Sequence, residues 1–339
     1  MGGILAPRVI HTAQALVDEV LEVPSLPPRG GNVVPTRVTR YAASAVNVLL
    51  AAARSGAACV HAGSVGTGPN GDLVRAVLAE AGVVVSAPPV AGLDTGTCLV
   101  LLEPSAERTF ITVQGAERQI SAASLATSAP VPGDVVCVSG YTLVDPTRDP
   151  LLAWWESLPD GVVTVLDPGA PFAALDRQTR ERSLSACTVW TGNRDEADAL
   201  ARAVTAGPAR ATGEPALPMA EAVAAVAGAL SPDAVVIVRD GPAGCVIHRN
   251  GATSTFPGFP QTPVDTNGAG DTHTGVLVAE IARGSAWDVA ATRANAAGAI
   301  KVTRRGPDTA PTADEIDAFL QRRPADRMPS GSIHGIGNA

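Results

Sequence analysis

Val264-Asp265-Thr266-Asn267-Gly268-Ala269-Gly270-Asp271-Thr272 is the stretch on which the reading of this chain turns. It follows two strand-like runs, Cys245 to His248 and Ser254 to Phe256, and opens a helical pattern from about 270 to 283. Gly268 and Gly270 let the backbone bend so that successive amides point one way, at a helix N-terminus with its positive dipole end. Such amides form an anion hole for a phosphoryl group in flight. A carboxylate beside them, Asp271, is placed to take a proton from an attacking hydroxyl. A bare Gly-x-Gly-Asp reads more readily as a turn with Asp271 capping a helix; the whole string is more specific.

Upstream of that stretch the chain alternates. Strands are expected at 134–139, 162–166, 188–190 and 234–239, with helices near 148–157, 194–204 and 217–229. Earlier come an extended apolar segment over 8–23, a helix over 43–54, a strand over 59–64 and a helix over 72–81. Helices near 287–304 and 312–322 close the chain. This rhythm predicts an α/β fold, a three-layer α/β/α domain with a mostly parallel central sheet. The β-like runs at 32–41 and 97–113 are too polar for a buried parallel sheet. They are assigned to a small β-lid, built from about 30–42 and 95–115 and inserted in one domain spanning 1–322. The Gly/Ser-rich tail, 323–339, is expected to be flexible.

Composition narrows the chemistry. Apolar residues make up 46% of the 339, enough for a sizeable core. The net charge of −8 and the lack of a Lys/Arg cluster argue against a nucleic-acid partner. Five widely spaced cysteines, with no C-x-x-C pair, argue against a disulfide scaffold and a zinc site and suit a reducing cytoplasm. No signal peptide and no membrane span are expected. The chain holds one lysine, Lys301, against twenty-four arginines. It follows Ile300, so neither a Walker A loop nor a protein-kinase phosphate-pairing lysine can be assembled. Lys301 is expected on a helix surface.

The string D-T-x-G-A-G-D, at this place in a chain of this length, resembles the signature of the ribokinase (phosphofructokinase B) family. Other segments fall in that family's order: Arg54-Ser55-Gly56, Gly66 to Asp72, Asn193-Arg194-Asp195-Glu196, Val238 to Gly244, and Ala294 to Gly306. The resemblance runs from about residue 8 to 322. It implies an ATP-dependent carbohydrate kinase acting on a sugar or polyol. Asp271 is then the base, and the amides of Gly268, Ala269 and Gly270 form the anion hole. It further implies that Asn193, Arg239, Gly241, Gly244 and Asn295 line the ATP site, and that Glu196 helps hold Mg²⁺, largely through water. Asp265 and the loop near Arg305 and Gly306 are expected to hold a monovalent cation such as K⁺. Asp18 and Asn47 match positions that bind substrate hydroxyls. Pairing of two lids through their edge strands would give a homodimer.

The chain departs from the family in places. Ala42-Ala43 stands where a Gly-Gly pair is usual before the substrate asparagine, so two added Cβ atoms are expected to crowd the sugar. Gly140-Tyr141 stands where ribokinase has an acid, which weakens the case for ribose. His273 is expected in the core or on the surface rather than as a second base. The Ala42-Ala43 change keeps open a catalytically impaired sugar- or nucleotide-binding protein on the same fold. Gly66-x-Gly68-x-x-Gly71 with Asp94 satisfies a dinucleotide fingerprint and would make an NAD-dependent oxidoreductase, but Pro69 sits awkwardly inside the loop. Ala62-Gly63-Ser64-Val65-Gly66 falls one glycine short of a hydrolase elbow.

Overall fold

Short apolar runs, most of them ending in a polar residue, build most of the central sheet. The computed structural model describes residues 6–105, 107–205, 211 and 213–322; the tail 323–339 lies outside them. In chain order the first elements are β1 (Arg8–His11), β2 (Ala15–Glu22), β3 (Arg37–Ser44), α1 (Ala45–Arg54), β4 (Ala58–His61), α2 (Pro69–Glu80), β5 (Val84–Val85), β6 (Thr97–Leu102) and β7 (Arg108–Val113). Then come α3 (Ala122–Ala126), β8 (Val135–Ser139), α4 (Arg148–Trp155), β9 (Val163–Asp167), α5 (Arg177–Ala186), β10 (Val189–Asn193), α6 (Arg194–Val204), α7 (Met219–Gly228) and β11 (Val235–Arg239). The hairpin β12 (Gly244–Arg249) and β13 (Ala252–Pro257) precedes α8 (Ala269–Arg283), α9 (Trp287–Lys301) and α10 (Ala313–Gln321).

Nine strands form one sheet in the order β13-β12-β11-β10-β9-β8-β1-β4-β5, parallel except at β11–β12 and β12–β13, which are antiparallel. Alternate residues feed two cores. Val9, Val135, Val165 and Ile237 pack with α1, α8 and α9 on one face. Ile10, Val136, Leu166 and Val238 pack with α4, α5, α6 and α7 on the other. The polar last residues line up across the carboxyl edge: Ser139 is in register with Asp167, and Asn193 with Arg239. Ligands bind at that edge in open α/β sheets.

A second sheet has the order β3-β2-β6-β7. It is antiparallel at β3–β2 and β6–β7 but parallel at β2–β6. The segment over 8–23, expected as one extended run, is two strands in two sheets. β1 is buried in the central sheet, whereas β2 from Asp18 onward is only half-buried, which fits a sheet with one open face. The lid sheet therefore includes β2 as well as the segments expected for it. Helix α5 was not expected. Its sequence RQTRERSLSA buries few apolar side chains, and its start is fixed locally by the Asp176 carboxylate, which accepts from Thr179 N at 2.9 Å.

Candidate active site

Asp265 folds the loop that leads into α8. Its carboxylate accepts from Asn267 N (2.9 Å), Gly306 N (3.0 Å) and the Arg108 guanidinium (2.7 Å). Gly268 caps α8 with φ +75°, and a Cβ there would lie 2.9 Å from Pro307 O. That backbone is open to glycine and strained for other residues. First-turn amides have no partner inside their own helix. Gly270 N belongs to that first turn, while Ala269 N makes a long bond to Thr266 O, 3.3 Å, so Ala269 is a partly engaged member of the expected anion hole.

Asp271 sits in the first turn of α8, and Asn47 on α1 donates Nδ2 to its Oδ2 at 2.8 Å. The two helices meet closely because Gly275 has no side chain; a Cβ there would lie 2.4 Å from Val48 O. Burial pushes the Asp271 carboxyl above its ordinary range, opposed by the Asn47 bond and aided by the nearby charge of Asp167. Asp18, on β2, lies close enough to interact with Asp271. Burial and then that charge raise its pKa from 3.8 to about 7. Ala42 and Ala43 adopt backbone that needs no glycine. Both are buried in β3 in ordinary register with Val17 and Leu16, and the left-handed conformation falls on Ser44, φ +66°.

Beyond Asp271 the carboxyl edge carries an arginine among carboxylates. Arg239 Nη1 donates to Asp167 Oδ2 (3.2 Å) and to Thr274 Oγ1 (2.5 Å), and its Nη2 lies 3.5 Å from Glu196 Oε2. Glu196 and Asn193 cap α6 reciprocally. Asn193 Oδ1 accepts from Glu196 N at 2.9 Å, and Glu196 Oε2 accepts from Asn193 N at 2.7 Å. Burial, then the charge of Asp167, push Glu196 up to about 7. The site thus gathers more negative charge than Arg239 offsets.

A cavity of about 460 Å³ opens beside this edge. Asn193, Arg239, Gly241, Gly244 and Asn295, the five residues expected around a nucleotide, all line it, and Gly270 connects it to the N-terminus of α8. Asn295 is also anchored: Nδ2 donates to Phe256 O (3.1 Å) and Oδ1 meets His273 Nε2 at 3.1 Å. His273 is buried and its pKa falls to about 3, first by burial and then by Arg239, so the ring is neutral near pH 7.

Three findings were not legible. Asp167 ends the run VTVLD, an acid at a strand's carboxyl end, and that position was the available signal. Thr274 carries no sequence signal. Lys301, expected on a helix surface, is fully buried; its Nζ donates to Asp265 O (3.2 Å) and Arg304 O (3.4 Å). The decoy fingerprint is filled from within the chain. Asp94 accepts from Asn70 N (3.1 Å), Gly71 N (2.9 Å) and Thr95 N (2.7 Å), capping α2 where a pyrophosphate would need those amides.

Fold and site together define a kinase of small hydroxylated molecules. Residues 9–314 match the model of the pfkB family carbohydrate kinases, and the chain belongs to that family. It is 30% identical over 310 residues to the uncharacterized sugar kinase YegV of Escherichia coli (strain K12), spanning 91% of this chain and 92% of the relative. The fold superimposes on Arabidopsis thaliana ribokinase complexed with ribose and ATP at a TM-score of 0.77, with 21% identity, covering 94% of this chain and 99% of that one. Fructokinase from Vibrio cholerae O395, bound to fructose, ADP and calcium, matches at a TM-score of 0.73 with 22% identity, covering 93% and 99%. Among the described residues no helix is long and apolar enough to cross a membrane.

Proposed function

We propose that this sugar kinase moves the γ-phosphoryl group of ATP to a hydroxymethyl oxygen of a sugar or polyol, with Asp271 as the base. The observation that carries the reading is the place of Asp271. It stands between the nucleotide-sized cavity lined by Gly270 and Arg239 and the lid-side pair Asp18 and Asn47. The hydroxyl proton passes to Asp271 as the oxygen bonds to phosphorus and the β–γ bridging oxygen leaves with ADP. Asp18 and Asn47 hold neighbouring hydroxyls. Amides of Gly268 and Gly270, with Ala269 beside them, stabilise charge on the phosphoryl oxygens.

The acid-rich edge fits a divalent cation: Glu196 and Asp167 share one arginine and a surplus of negative charge. They would hold Mg²⁺, largely through water, and the ion would neutralise phosphate charge. Closure of the lid sheet over the substrate excludes water as a competing acceptor. Phe110, Ile111 and Val113 on β7 are exposed, an edge suited to pairing two lids in a homodimer; light scattering showing a monomer at all concentrations removes that element.

Coupled ADP release with Mg-ATP across sugars, polyols and nucleosides tests the reaction. A substrate-dependent signal that disappears in Asp271→Asn supports it. Silence across the panel with ATP binding intact would leave a binding protein.

A further inference from the structure

We propose that Lys301 is a built-in monovalent cation: its ammonium braces the anion-hole loop from inside the protein and removes the need for K⁺. The chain uses lysine once and places it at the last turn of α9 with no exposure to solvent. A buried ammonium is costly unless it is hydrogen-bonded or paired. Here it donates to Asp265 O and Arg304 O, one carbonyl from each of the two loops that meet behind Gly268.

Those loops are already tied to each other. Val264 N and Asp265 N both donate to Val302 O, at 2.7 and 3.1 Å, and Gly306 N donates to Asp265 Oδ2 at 3.0 Å. Pro307, on the second loop, is the wall against which the Gly268 backbone is set. Carbonyl oxygens from two crossing segments are the ligand type that hard monovalent cations take, and a primary ammonium offers the same charge with directed bonds. Burial lowers the pKa of the Lys301 ammonium and Arg108 opposes its charge as well, whereas Asp265, Asp308 and Asp271, which also face it, favour that charge. Arg108 is itself paired with the Asp265 carboxylate at 2.7 Å. Lys301 also lowers the cost of ionising Asp271. It is a positioning residue: it acts on the reaction through the loop and through the field at the base.

This rests on the kinase reading above, and two readouts separate the two ideas. The first is turnover with a substrate found in the panel, measured in choline chloride and in KCl at equal ionic strength. Wild type is expected to be indifferent to the exchange. Lys301→Met is expected to lose about 10²-fold in kcat, the scale of a displaced catalytic loop, and to regain much of it in K⁺ or NH₄⁺. The second is thermal unfolding without substrate in the same salts. Wild type shows equal midpoints, and Lys301→Met or the smaller Lys301→Ala is stabilised by K⁺ over choline. Wild type activated or stabilised several-fold more by K⁺ than by choline would overturn the proposal, as would variants equally indifferent to both salts. If no substrate turns over, the unfolding series decides it alone.

Discussion

Asn47 Nδ2 and Asp271 Oδ2 meet at 2.8 Å although 224 positions separate them in the chain. The bond joins the N-terminal turns of two helices, α1 entering from the lid strand β3 and α8 from the anion-hole loop. It couples the side chain expected to bind substrate with the one expected to accept the proton.

Asn47→Ala therefore changes the base as well as substrate binding. The Asn47 bond holds the Asp271 pKa down against burial and the charge of Asp167. Without it the pKa rises further, and the ionised base is reached at higher pH. The acid limb of the kcat–pH profile is expected to move upward, with kcat at pH 7 lowered more than at pH 9. A lowered kcat with an unmoved limb would confine Asn47 to substrate contact.

Gly275→Ala tests the packing that makes the bond. Its Cβ would stand 2.4 Å from Val48 O and 2.6 Å from Ala51 Cβ, so α8 must move away from α1. Overpacking of this kind costs about 1–3 kcal/mol. The expected result is a lower unfolding midpoint together with a lower kcat, since Asp271 is carried away from Asn47. Lost stability with normal turnover would mean that the helices adjust without moving the base.

The sequence disclosed what local chemistry writes. The parallel strands were legible as apolar runs, and the turn into α8 as two glycines before an acid. What it hid depends on distant packing. β2 continues the apolar run of β1 but joins the other sheet, where Asp18 stands in register with Tyr41 and Cys98. Lys301 sits one residue past Ile300 at the end of an alanine-rich helix, and nothing local says that two loops close over it. Asp167 and Thr274 matter because Arg239, from another strand, reaches both.

Gly268→Ala probes the anion hole without touching a side chain. An alanine held at φ +75° costs about 1–2 kcal/mol, and its Cβ meets Pro307 O at 2.9 Å. The loop is expected to relax and turn its amides aside. Loss of one such donor lowers kcat about 10²–10³-fold, while ATP binding changes little. An unchanged kcat would remove the Gly268 turn from the reaction.

Asp18→Asn should trade activity for stability, and the pH dependence carries the argument. The folded protein raises the Asp18 pKa from 3.8 to about 7, through burial first and the charge of Asp271 second. The folded state therefore holds this proton more tightly than the unfolded chain does. By linkage, the relative stability that this group confers is full below about pH 4 and is lost as pH rises toward 7. The neutral amide escapes that loss. The Asp18→Asn variant is expected to unfold at a higher temperature than wild type at pH 8, by about 2 °C per kcal/mol released, with the gap closing near pH 4. Its kcat/KM is expected to fall, and the part of the wild-type rise near pH 7 that reports ionised Asp18 should disappear. A variant with lower stability at pH 8 would mean that the Asp18 carboxylate is stabilised by its surroundings rather than held there at a cost for the substrate.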